Sequence, residues 1–114
     1  MGYTTHNERK ELTIMAANNI KKEEFRSLTD GHKPVLVDFW APWCAPCRML
    51  SPTMDEIAKE RPDIRVGKVN IDEEQELAMK YRIFSIPTVL VLKDGKVVNQ
   101  AVGARPKEAI LGLL

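Results

Sequence analysis

Only two cysteines and two histidines occur in the 114 residues, and that scarcity removes most metal chemistry. A closed zinc site takes four ligands of Cys or His type. Cys44 and Cys47 supply half of one, but no second Cys-x-x-Cys exists, and His6 and His32 lie in or beside polar segments without paired spacing. Charge of one sign is scarce as well, since 17 Lys and Arg against 16 Asp and Glu leave a net +1. Nothing electrostatic therefore recommends nucleic acid or an anionic membrane surface as a partner. No apolar run approaches the roughly 20 residues that span a bilayer, and Met1 to Lys10 are too polar for the core of a secretory signal. Repeats, low-complexity tracts and domain linkers are also missing. These absences predict a cytoplasmic chain without metal, nucleic acid or membrane in its chemistry.

The composition that remains, 44% hydrophobic and 29% charged, suits one soluble domain with one core. Residues 1–10 read as a flexible leader and 11–114 as the domain. Leu12, Ile14 and Ala16 alternate with Thr13 and Met15 as an edge strand would. Asn18-Asn19 offers a cap for a helix from about Ile20 to Asp30, with Phe25 and Leu28 as its apolar stripe and Gly31 as its stop. Val35 to Trp40 is a nearly unbroken apolar run, the pattern of a middle strand covered on both faces. From Ala45 onward Cys47, Leu50, Met54, Ile57 and Ala58 recur at helical spacing, with Arg48, Asp55, Glu56 and Lys59 on the other side and Pro52 as an expected kink.

Arg61-Pro62-Asp63 ends that helix, and Ile64 to Ile71 reads as a further strand. Asp72 and Gln75 have capping-box spacing for a short helix through Leu77, Ala78 and Tyr81. Thr88 to Leu92 is a buried strand, Lys93-Asp94-Gly95-Lys96 a hairpin turn, and Val97 to Val102 its antiparallel return along an edge. Pro106, at an expected first helical position, opens a last helix carrying Ile110, Leu111 and Leu114. Helical crossovers imply parallel strand pairs and the Asp-Gly turn an antiparallel one, so the class is α/β with a mixed, helix-covered sheet.

Within this frame Trp43-Cys44-Ala45-Pro46-Cys47 falls where the middle strand gives way to a helix. A sulfur just before that helix faces unpaired backbone N–H groups and the positive end of the helix dipole, which favour thiolate. Cys44 is thus the better nucleophile. Cys47, one turn along and facing the core, is shielded until a mixed disulfide forms on Cys44, and then attacks at high effective concentration. Pro46 fits the first turn, where it needs no donor, and stiffens the ring. The competing readings are half a zinc site, a structural disulfide, which a reducing compartment disfavours, and two inert buried thiols.

Asp38 sits inside an apolar strand, where an unpaired carboxylate is costly and tends to hold its proton. It is a candidate acceptor for the proton of Cys47; pairing with Lys68 or facing solvent are the alternatives, and Lys68 itself reads equally as a surface lysine. Pro87 enters a buried strand, where it cannot donate to the ladder; the pattern leaves the Ile86-Pro87 bond open between cis and trans. Trp40 is expected in the core. Trp43 is expected over the sulfur, offering clients an apolar contact. Met49, Met54 and Met79 read as packing or surface, and Asp72-Glu73-Glu74 as a solvated helix start.

Four segments in consistent order carry a resemblance: Val37 to Arg48, Val69-Asn70-Ile71-Asp72, Ser85-Ile86-Pro87-Thr88, and Val102-Gly103-Ala104. From about Glu11 to its end the chain resembles the thioredoxins. That resemblance implies the thioredoxin fold, a mixed five-stranded sheet flanked by four helices, and a general protein-disulfide reductase. By the same resemblance Cys44 is the nucleophile and Cys47 the resolving thiol, forming a redox-active disulfide with no bound cofactor. Asp38 is the buried proton-transfer group with Lys68 beside it, and Pro87 is cis. Trp43, Ile86, Pro87, Gly103 and Ala104 form the client-binding surface, while Pro46, Lys68 and Ala45 support the site. The implied partners are disulfide-containing clients and a thioredoxin reductase fed by NADPH or ferredoxin, and a monomer is expected. A disulfide isomerase or oxidase, or a non-enzymatic binding module on the same surface, is the alternative. Three departures stand out: Ala45 where the family usually has Gly, a last helix stopping at Leu114, and a leader longer than the family needs.

Overall fold

In the computed structural model, which describes residues 17–114, strands and helices alternate along the chain except for one strand hairpin near its end. They are β1 (Asn18–Asn19), α1 (Lys22–Thr29), β2 (Val35–Trp40), α2 (Ala45–Glu60), β3 (Arg65–Asn70), α3 (Gln75–Lys80), β4 (Thr88–Lys93), β5 (Lys96–Val102) and α4 (Lys107–Leu111). One five-stranded sheet results, in the order β1-β3-β2-β4-β5. β1 and β2 run parallel to β3, whereas β4 is antiparallel to both β2 and β5. The apolar run Val35–Trp40 therefore occupies the middle of a mixed sheet, as its burial on two sides requires.

Side chains alternate across the sheet. Val35, Val37, Phe39, Val69, Leu90 and Leu92 meet Ile20, Phe25 and Leu77 on the side of α1 and α3. Leu36, Val89 and Val91 meet Leu50, Met54 and Ile57 of α2 and Ile110 of α4 on the other. Asp38, two residues beyond Leu36, shares the α2 side and is completely buried. Its position thus follows from strand parity alone.

Asp94 (φ 53°) and Gly95 (φ 77°) both adopt the left-handed region, the mirror-image turn whose twist suits a tight hairpin. Beyond it Leu92 pairs with Val97 but Val91 with Asn99. Val98 is the additional residue of a β-bulge.

Several element ends differ from expectation. Asn18-Asn19 does not cap a helix; it pairs with Gly67 and Lys68 as β1, because the exposed side of β3 offers backbone partners that a cap would leave unused. α1 starts later, behind Lys21, which makes no side-chain cap bond. No capping box forms at Asp72: α3 begins at Gln75 behind Glu74, and the Asp72 carboxylate bonds elsewhere. Pro52 lies inside α2 without ending it. Pro106 stands one residue before α4 with extended backbone, and α4 ends at Leu111, leaving Leu114 39% exposed beyond it. The strand expected over Leu12 to Ala16 and the leader over 1–10 lie outside the described residues.

Candidate active site

Strand β2 delivers the chain to a turn at Ala41 and Pro42, and α2 carries it away. Cys44 caps that helix: its extended backbone (φ −100°, ψ 108°) turns the chain into α2, and its Sγ accepts the N–H of Cys47 at 3.3 Å. Pro46 sits in the first helical turn, where no donor is needed. Arg48 donates from its guanidinium to the Pro42 carbonyl at 3.0 Å, closing the turn from outside. Cys44 and Cys47 are joined as a disulfide with Cα atoms 5.3 Å apart. Cys44 retains 7% exposure and Cys47 1%, so the first of the two is the more accessible.

A second loop faces the pair. The Ile86-Pro87 peptide is cis, and the Ile86 carbonyl oxygen lies 3.8 Å from Cys44 Sγ. Thr88 donates its hydroxyl to the Ser85 carbonyl at 2.5 Å, and the Gly103 N–H donates to the Pro87 carbonyl at 2.8 Å. Gly103 has φ +94°, a conformation that a side chain would strain. Those bonds tie the Ile86, Pro87 and Gly103 loops into one rim around the sulfurs, with Ala104 exposed next to Gly103.

Trp43 is 66% exposed, and its indole N–H donates to Asp72 Oδ2 at 3.0 Å. An apolar ring is thereby held open beside Cys44. Trp40 is only partly buried, because its N–H reaches the Asn19 side chain at 3.0 Å.

Behind the disulfide lies the charged interior. Both carboxyl oxygens of Asp38 are buried without a hydrogen-bond partner. Burial pushes this carboxyl up to about 7, against a lowering by the Lys68 charge and a smaller rise from Asp55. Lys68 is Asp38's neighbour in register on β3 and 9% exposed, which excludes a plain surface lysine. Its ammonium is bonded instead to Ser51 Oγ at 2.5 Å and paired with Asp55 Oδ1 at 3.0 Å.

The sequence model of the thioredoxin family matches residues 16–114. Thioredoxin of Bacillus subtilis (strain 168) is 53% identical over 81 residues, 70% of this chain and 78% of the relative. Thioredoxin of Alicyclobacillus acidocaldarius is 43% identical over 100 residues, 87% of this chain and 90% of the relative. Among solved structures, a mutant thioredoxin from Halobacterium salinarum NRC-1 superposes with a TM-score of 0.78 at 34% identity, covering 85% of each chain. The chain belongs to the thioredoxin family.

Thioredoxin membership together with the closed Cys44–Cys47 pair makes the protein a thiol–disulfide oxidoreductase. The thioredoxin fold also accounts for where the expected site residues fall. Cys44, Cys47, Asp38, Lys68, Ala45 and Pro46 gather at the junction of β2, β3 and α2, while Trp43, Ile86, Pro87, Gly103 and Ala104 lie on the turn and loops around it. Sequence reasoning missed Asp72, which holds Trp43, and Ser51 and Asp55, which hold Lys68. Asp55 was expected on the solvent side of α2, yet it follows Cys47 and Ser51 at intervals of four, and that spacing is the signal that places all three on one helix face. Phe84, 90% exposed, adds an apolar group to the loop ahead of Ile86. Among the described residues no group of three or more His, Cys, Asp or Glu is placed to hold a metal, and no helix is long and apolar enough to cross a membrane.

Proposed function

We propose that this thioredoxin-family oxidoreductase is a general protein-disulfide reductase of the cytoplasm, recharged by a thioredoxin reductase. Its redox-active disulfide serves as the only electron carrier, and it acts as a monomer. The observation that carries the reading is the unequal setting of the two sulfurs: Cys44 caps a helix at the rim, and Cys47 lies beneath it. In the reduced protein the Cys44 thiolate attacks one sulfur of a client disulfide, forming a mixed disulfide and releasing the client's other sulfur as a thiolate. Cys47 then attacks Cys44 Sγ, closing the intramolecular disulfide and freeing the second client sulfur. The client gains two electrons, and the protein's dithiol loses them. Asp38 takes the proton that Cys47 gives up, directly or through water. Trp43, Ile86, Pro87, Gly103 and Ala104 form the surface that meets clients, and the domain extends over 11–114 behind a leader at 1–10.

Cys47→Ser tests the order of events. The variant is expected to accumulate mixed disulfides with clients through Cys44, and changing both cysteines to Ser should abolish them. A pure binding module would instead retain partners in the double variant. In a coupled assay with thioredoxin reductase, wild type should reduce a model protein disulfide and Cys44→Ser should not; equal activity of the two would remove the proposal.

A further inference from the structure

Strand register alone makes Lys68 the natural counter-ion of Asp38, since the two are neighbours on β3 and β2 and point to the same side. The structure does not pair them. Asp38 has no hydrogen-bond partner on either oxygen, while the Lys68 ammonium is directed toward α2, to Ser51 Oγ at 2.5 Å and Asp55 Oδ1 at 3.0 Å. Ser51 and Asp55 are one helical turn apart and so present both acceptors on one face. With side-chain exposures of 11% for Lys68 and 39% for Asp55, this ion pair lies between the buried carboxyl and solvent.

We infer that Ser51 and Asp55 are positioning residues that hold the Lys68 ammonium on α2 and so set how much of its charge acts on the Asp38 carboxyl. The inference rests on the reading of Asp38 as proton acceptor. An ammonium bound directly to a buried carboxyl stabilises the ionised form strongly, and a carboxylate so stabilised accepts a proton poorly. Held by Asp55, the same ammonium is offset in part by its partner. The charged groups acting on Asp38 are Lys68 from β3 and Asp55 from α2, and β4 faces it with apolar Val89. Ser51 contributes no charge, only a hydroxyl at one of the ammonium's three donors.

Carboxyl-carbon NMR titration of Asp38 in the oxidised protein tests this. Ser51→Ala, which alters no charge, is expected to lower the Asp38 midpoint by about half a unit, a threefold change in its proton affinity. Asp55→Asn should lower it further, since a tether and a negative charge are lost together. Ser51→Thr, which keeps the hydroxyl, should titrate like wild type. In a Lys68→Met background Ser51→Ala should have no effect, because the hydroxyl acts only through the ammonium. A Ser51→Ala midpoint equal to that of wild type, or a shift that persists without Lys68, overturns the inference. The acceptor reading is judged separately: it falls if Asp38→Asn leaves the rate and pH profile of client reduction unchanged, whatever the titration shows.

Discussion

Ala45 is the residue where this chain leaves the thioredoxin pattern inside the disulfide ring. It occupies the first helical turn of α2, where Ala is favoured over Gly by up to about 1 kcal/mol and adds one methyl group. Ala45→Gly is therefore expected to shift the reduction potential by only a small fraction of the roughly 150 mV separating thioredoxin from DsbA. Equilibration with glutathione measures it, and a shift spanning most of that interval would contradict the argument. The residues legible in the sequence were those whose type carries the chemistry: the cysteine pair, Pro46 between its members and an aspartate inside an apolar strand. Asp72, Ser51 and Asp55 escaped notice for one physical reason. Each acquires its part through a contact with another element, Asp72 with a tryptophan 29 positions earlier and the other two with a lysine on β3; the spacing of Ser51 and Asp55 marks their shared helix face, but nothing in it names the partner.

At the level of elements, β3 is the point where the two sides of the molecule are joined. Gly67 lets Ile20 and the helix α1 approach it: a Cβ there would lie 2.8 Å from Ile20 Cγ1 and 2.9 Å from Leu28 Cδ2. Both are apolar side chains in the cluster that fills the α1 side, so Gly67→Ala must push that layer outward. A loss of about 1–3 kcal/mol is expected, read as a lower urea midpoint with the disulfide chemistry intact, and an unchanged midpoint would show the layer to be slack. Strand interiors were legible because burial on both faces leaves a run such as Val35–Trp40 with almost nothing polar in it. Ends were less so. Whether Asn18-Asn19 caps a helix or joins a sheet depends on the free side of β3, which lies nearly 50 residues away in sequence.

For the whole molecule, the buried carboxyl makes stability depend on pH. Asp38 sits at about 7 in the folded protein against 3.8 for an ordinary aspartate, so between these values the folded state holds a proton that the unfolded chain has released. The Asp38 contribution to stability is therefore full below about pH 4, falls as pH rises to about 7 and is flat beyond, a total of roughly 4 kcal/mol for three pH units. Asp38→Asn removes the dependence. It should match wild type at pH 4 and exceed it by roughly 2–4 kcal/mol at pH 8 in urea unfolding, and equal stability at pH 8 would show the carboxyl to be better solvated than its burial implies. The same scale gives the bulge at Val98 a meaning of its own. An even, open strand edge recruits other chains as further strands. β5 lies at one end of the sheet with an irregular ladder, and Lys96, Asn99 and Gln100 share its length with exposed Val97, Val98 and Val102. The bulge interrupts the ladder that another chain would extend, and so offsets the attraction of those valines.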